Sequence, residues 1–240
     1  MLKSLLKKSF EKFGYNIQKI ELDSEMTMSG ALKRCVDRGL NAKTVVDVGA
    51  SNGSWSRACM KFLPSAKYLL IEAQEGHRQG LDEFVKEKSN AEYALAAAGS
   101  REGKIYFDNS HLFGGLASDT PFDSNCIEVP VVTIDAEVAK RKLEGPFLIK
   151  LDTHGFEIPI LEGAIDTLKK AELVIIETYN YQLTSDSLKY FQMCAYMAEK
   201  GFSTIEMVDF KLRKHDSSFW QMDTFFIPSH RKEFDYNSFN

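Results

Sequence analysis

Residues 147–164, FLIKLDTHGFEIPILEGA, place Asp152, His154 and Glu157 at the end of an apolar run. A neutral imidazole titrates near working pH and can take a proton from an oxygen, and a neighbouring carboxylate can orient it or act itself. Each residue also has a plainer use. Asp152 can cap the helix that follows, Glu157 can serve as its first-turn acid, and His154 can be a solvated loop residue. Gathered at one strand end, the three favour chemistry. Lys150 inside the same strand and Glu177 at the end of LVIIE add charges at positions where charges are rarely left unpaired. His111, on a separate loop, is the reserve base. A metal held by Asp152, Glu157 and Glu177 stays open, with no specific ligand spacing behind it, and no metal ligand is assigned.

A second constellation lies upstream. Residues 44–53, TVVDVGASNG, read as a β-branched strand emptying into a turn of small residues, and SWSRACMKFL follows as a helix. Gly49 and Gly53 permit a sharp turn and a close approach to a ligand. The unpaired N–H groups of the helix point at the same spot. Glu72 ends the next apolar run, YLLIE, where an acid can accept both hydroxyls of a ribose. Three readings fit this turn. A nicotinamide site would prefer a full G-x-G-x-x-G. The string GASNG also satisfies G-x-S-x-G, with Ser51 as a hydrolase nucleophile and Asp152 with His215 or His230 behind it. That reading leaves Glu72 without a role. An S-adenosylmethionine site uses both Asp47 and Glu72. A non-catalytic adenosine-cofactor-binding module is the alternative outside enzyme chemistry.

The elements that must position these residues follow in regular order. Strands are expected at 44–49, 67–72, 91–97, 146–152 and 172–178, with helices at 54–62, 76–88, 157–170 and 185–200. The alternation implies a parallel sheet covered on both faces. Segments 202–209 and 219–227 leave no room for a crossover and must pair antiparallel. All strand-to-helix loops of a parallel sheet emerge on one edge, so the two constellations should share one crevice. Between 99 and 135 the rhythm breaks. Residues 103–107 read as an extra strand, 110–118 as an exposed loop with Gly114 and Gly115 as hinges, and 127–135, ending at Asp135, as another strand. Such an insertion suits a lid or substrate wall. Upstream, residues 28–39 read as a helix. Residues 1–14 form a basic amphipathic pattern that suits packing on the domain better than resting on a membrane surface.

Bulk properties narrow the classes. The chain of 240 residues suits one α/β domain with a short appendage, 1–40 as a helical cap and 41–230 as the main domain. A net charge of −4 provides no field for nucleic acid. Cys35, Cys59, Cys126 and Cys194 are scattered, with no C-x-x-C pair, and read as buried thiols of a reducing compartment. With no apolar span and no secretory leader pattern, a cytoplasmic enzyme is the expectation.

The strings VVDVGASNGSWS, YLLIEAQEGH, VPVVTID, IKLDTHGFEIPILEGA and LVIIETYNY, in this order, together resemble the FkbM-type methyltransferases, over about residues 26–227. The resemblance implies a Rossmann-like class I methyltransferase fold with a mostly parallel seven-stranded sheet, an antiparallel C-terminal hairpin and an N-terminal helical cap. It also implies S-adenosyl-L-methionine as cofactor and a hydroxyl acceptor on a sugar or other small metabolite. Cofactor contacts are then expected at Asp47, Gly49, Ser51, Gly53, Glu72, Ala73 and Ala97, and catalysis at His154, Asp152 and, in reserve, His111. The family often carries another polar residue at the position of His154, so a universal role for that imidazole is not implied. The oligomeric state is left open.

Overall fold

The computed structural model describes residues 25–239. The amphipathic pattern at 1–14 and the rest of the cap before residue 25 lie outside the described residues. Helix α1, Met28–Asp37, is capped by Thr27, whose side chain accepts from the Gly30 N–H at 3.2 Å. Its Arg34 and the Arg38 that follows its last turn pair with Glu206 at 2.8 and 2.6 Å and so tie the helix to the far edge of the sheet.

Strands β1 (Thr44–Val48), β2 (Lys67–Glu72), β3 (Ala91–Leu95), β8 (Phe147–Leu151) and β9 (Ala171–Tyr179) are parallel neighbours. The hairpin β10 (Phe202–Leu212) and β11 (Phe219–Pro228) closes the sheet antiparallel, giving the order β10-β11-β9-β8-β1-β2-β3. The mostly parallel seven-stranded sheet expected from the sequence is therefore present. Every residue of β1 and β8 is buried, as continuous apolar runs covered on both faces require. Alternate residues feed two cores. Val45, Leu70, Leu148 and Ile175 face α1, α2 (Ser54–Cys59) and α3 (Arg78–Glu87). Val46, Ile71, Ile149 and Val174 face the helices of the other layer, through Ile134, Ile160, Leu161 and Met197. No described helix is long and apolar enough to cross a membrane.

The region 99–135 differs from its reading in several places. The run expected as one strand over 91–97 divides at Ala96. Residues 91–95 stay in the main sheet, whereas β4 (Ala97–Ala98) joins β7 (Cys126–Val132), β5 (Gly103–Asp108) and β6 (Leu116–Ser118) in a separate four-stranded sheet. Part of the expected loop 110–118 is thus a strand. The strand expected to run to Asp135 ends at Val132. Thr133 caps a new helix, α4 (Ile134–Lys140), by accepting from the Ala136 N–H at 3.1 Å. The helix expected over 157–170 breaks into α5 (Glu157–Glu162) and α6 (Ile165–Leu168). At the break Gly163 lies so close to the Gly99 carbonyl that any Cβ would collide with it. Asp135 then accepts from the backbone N–H groups of Asp166 and Thr167 at 2.9 and 2.8 Å, restarting the helix. The helices expected at 54–62 and 185–200 are shorter, ending at Cys59 in α2 and starting at Tyr190 in α7 (Tyr190–Glu199).

Candidate active site

A cavity of about 280 Å³ opens at the carboxyl edge of the main sheet, under the second sheet. The loops after β1, β2 and β8 reach it, as a parallel sheet demands, and β9 contributes Glu177 from near its own carboxyl end. Gly49, Ser51, Glu72, Ala73 and Ala97 line it, and so do Asp152, His154 and Glu177. The two constellations of the sequence therefore share one space.

Glu72 organises the cofactor-type half. One carboxylate oxygen accepts from the Ser51 N–H at 2.7 Å and the other from the Gln74 N–H at 2.8 Å. A carboxylate offers about four lone-pair directions, so two remain for a ligand. Gly49 and Gly53 have φ of 75° and 80°, which L side chains rarely adopt. Their neighbours give each a second reason. A Cβ on Gly49 would collide with the Asp152 carbonyl, and one on Gly53 would press on Phe84 and Leu70. These glycines clear space for packing within the protein. Gly53 does not line the cavity, and neither does Asp47. Asp47 is buried in β1 and accepts from the Ser56 hydroxyl at 2.6 Å, fixing the start of α2. Burial raises its pKa to about 6 against the stabilising Ser56 hydroxyl and Lys150 charge.

The opposite half holds a dense polar cluster. Lys150 is fully buried within β8 and pairs with Asp152 at 3.0 Å and Asp223 at 3.4 Å. Burial opposes its charge, but Asp152, Asp223, Asp47 and Glu177 together raise its pKa. Burial works to raise the Asp152 carboxyl, yet the ammonium beside it holds its pKa below the usual value. His154 has φ of 53° and Gly155 of 102°, a double left-handed turn that carries the imidazole back over the strand ends. Its Nε2 lies 3.9 Å from Asp152 Oδ1 and 3.6 Å from Glu177 Oε2. Burial lowers the imidazole pKa, partly countered by the Asp152 charge. Glu177 accepts from the Tyr179 hydroxyl and the Gln221 amide. Burial, and then the Asp152 charge, push its pKa up to about 8. Glu157 is not part of this cluster. It turns back to accept from the Gly155 N–H at 2.8 Å and the Thr153 hydroxyl at 3.2 Å, and so stiffens the loop that presents His154.

The loop ahead of β6 crosses the cavity. Gln74 donates to the carbonyls of His111 and Leu112 at 3.1 and 3.0 Å, and a ring nitrogen of His77 lies 2.8 Å from the Leu112 carbonyl. Leu112 and Phe113 line the cavity while keeping much of their surface in solvent. Gly115 is held against Phe107, with no room for a Cβ, so of the two expected hinge glycines only Gly114 has space around it. His111 contributes its carbonyl and is itself exposed, outside the cavity lining. Sequence reasoning passed over Gln74 and His77. Their signal was a pair of polar residues immediately after a buried strand in YLLIEAQEGH, where polar side chains need a reason to be inside.

The hydrolase arrangement finds little support in this geometry. Ser51 Oγ lies 3.4 Å from both ring nitrogens of His77, a contact with no single directed hydrogen bond. His215 and His230 do not line the cavity, and among the described residues no carboxylate pairs with His77.

The sequence matches the Methyltransferase FkbM domain over residues 47–204. Among solved structures, the chain is similar to the methyltransferase FkbM from Methylobacillus flagellatus KT, with a TM-score of 0.51 and 17% identity over 77% of this chain. The match spans 44% of that longer protein. An uncharacterised protein from Listeria monocytogenes serotype 4b gives a TM-score of 0.50 at 10% identity, covering 85% of this chain and 70% of that one. A putative O-methyltransferase from Klebsiella pneumoniae aligns over 94% of this chain and 88% of its own, with a TM-score of 0.47 and 12% identity. No curated protein matches the sequence. With the family's domain matched over well over half of the chain, on a class I methyltransferase sheet whose carboxyl edge carries the cavity, the chain belongs to the FkbM methyltransferase family.

Proposed function

We propose that the chain binds S-adenosyl-L-methionine and methylates a hydroxyl oxygen on a saccharide or other small acceptor. The observation that carries this reading is the sharing of one cavity by Glu72 and the Asp152–His154–Glu177 cluster. The residues present fit the cofactor. Glu72 keeps lone pairs free for the two ribose hydroxyls, and Gly49, Ala73 and Ala97 make a low wall against which an adenosine can lie. When bound, the cofactor supplies an electrophilic methyl group. The chain's own residues supply the rest. Phe107 and Phe156 give the cavity an apolar wall that limits water on that side. Asp152 and His154 orient the acceptor hydroxyl and take its proton as the new bond forms, since an alcohol is a poor nucleophile until it loses that proton. Positioning acceptor oxygen and methyl carbon in line supplies much of the remaining rate. The net charge of −4 and the acids at the cavity favour a neutral or cationic acceptor over a nucleic acid.

Binding tests this reading before any acceptor is known. S-adenosylhomocysteine should raise the melting temperature by linkage to the folded state, and NAD should not. Glu72→Ala should weaken S-adenosylhomocysteine by about 1–3 kcal/mol in calorimetry, the worth of a charge-assisted hydrogen-bonded group. Unchanged affinity in that variant, with NAD binding as well as S-adenosylhomocysteine, would overturn the assignment.

A further inference from the structure

We propose that Asp152, His154 and Glu177 form a binding site for one divalent first-row metal ion, of the Mn²⁺ type. One imidazole nitrogen and two carboxylate oxygens lie within 4.8 Å of one another. They come from three separate places, the end of β8, the left-handed loop after it and the end of β9, so the fold and not the local chain has gathered them. The His154 Nε2 distances of 3.9 and 3.6 Å are too long for hydrogen bonds. The nitrogen therefore lies close to both oxygens without a hydrogen bond to either. An ion about 2.0–2.2 Å from each donor would occupy such a gap with little movement.

The surroundings suit an ion further. Asp152 commits one oxygen to Lys150 and turns the other to the gap. Tyr179 and Gln221 hold the Glu177 carboxylate by donating to its two oxygens. Outer contacts of this kind orient the ligands of metal sites. Four carboxyl groups, Asp47, Asp152, Glu177 and Asp223, surround the one buried ammonium of Lys150, with the more exposed Lys211 3.9 Å from Glu177, so a further cation would meet carboxylate oxygens that these two do not fully occupy. One imidazole with two carboxylates is a donor set for Mn²⁺, Fe²⁺ or Zn²⁺, not for Cu⁺. Three protein ligands facing a cavity leave positions open for an acceptor hydroxyl, whose pKa the ion would lower. With an ion bound, His154 would serve as its ligand in place of the proton-accepting role it has in the metal-free site, and the proton of the ion-acidified hydroxyl would pass to water at the open side of the cavity. Only that last consequence rests on the methyl-transfer reading; ion binding stands apart from it.

The test is a titration of chelator-stripped full-length protein with Mn²⁺, followed by the electron paramagnetic resonance of the free ion. One ion per chain is expected. Asp152→Asn, His154→Ala and Glu177→Gln should each weaken it by roughly tenfold or more. Glu128→Gln, which alters an exposed carboxylate of the second sheet paired with Lys104 and away from the cavity lining, should leave it bound. Absence of stoichiometric binding to the wild type at millimolar Mn²⁺ would overturn the site, as would undiminished binding in all three cluster variants. S-adenosylhomocysteine is titrated into the same samples. Its binding without Mn²⁺ binding removes the ion site and leaves the cofactor reading intact, whereas the reverse result removes the cofactor reading alone.

Discussion

Asp152→Ala and His154→Ala should each lower methyl transfer to an alcohol acceptor by about 10²–10⁴-fold, the usual contribution of a positioned proton acceptor. S-adenosylhomocysteine affinity should stay near that of the wild type. The separation follows from the geometry. Glu72 and the Ser51 and Gln74 amides it holds belong to the cofactor-type half, whereas Asp152 and His154 touch Lys150, Glu177 and Tyr179. The two variants should also differ from each other. Removing Asp152 leaves Lys150 buried with Asp223 as its remaining close partner, so some stability goes with the activity. Removing His154 leaves no buried charge unpaired and should spare the melting temperature. Single-turnover rates and calorimetry on both variants make the comparison. Near-normal turnover in both would reduce these residues to structural anchors and move the base elsewhere.

The second large effect is on folding. Gly49→Ala should destabilise the protein by about 3–5 kcal/mol, the upper range for single substitutions. Gly49 has φ of 75°, so alanine there is strained whatever its neighbours. The new methyl group would also meet the Asp152 carbonyl, which is backbone and cannot swing away. That carbonyl belongs to the residue that begins the loop carrying His154, so any relief of the clash displaces the polar cluster as well. Gly114→Ala is the matched control. It has His111 Cβ at 3.8 Å as its nearest neighbour and should cost less than about 0.5 kcal/mol, as surface substitutions usually do. Urea denaturation midpoints of the two variants decide the matter. Equal midpoints would mean that the loops after β1 and β8 are free to part, and that the cavity is not held as described.

Much of this architecture was legible in the chain itself, because its signals are local. A β-branched run ending in small residues marks β1, and the alternation of Val45 and Val46 toward opposite cores follows from the period of a strand. Strand-to-helix alternation fixed the parallel sheet, and the missing crossover between 202–209 and 219–227 fixed the antiparallel hairpin. Because parallel strands share a carboxyl edge, even the meeting of Glu72 with Asp152 and His154 could be inferred before any coordinates. The signal for α4 was present too, since Thr133 precedes the acids Asp135 and Glu137 in capping fashion, but the apolar run before it masked the change of period.

Other features depended on which strands became neighbours and in what register, and no local pattern encodes that. The division of 91–97 at Ala96 arises because Ala97 and Ala98 find partners in Val131 and Val132, on a strand far along the chain. Gly49 reads as a ligand-approach glycine in sequence, yet the Asp152 carbonyl that demands it arrives only when β1 and β8 pair. His111 looked like a spare base until Gln74 bound its backbone carbonyl and left its side chain exposed. Glu177 joined His154, and Glu157 did not, because β9 lies beside β8 while Glu157 folds back onto its own loop. The sequence by itself determined the elements of the main sheet, the edge at which they act and the family. The tertiary structure decided which charges meet, since a contact between distant residues is set by strand order and register and not by the residues on either side of it.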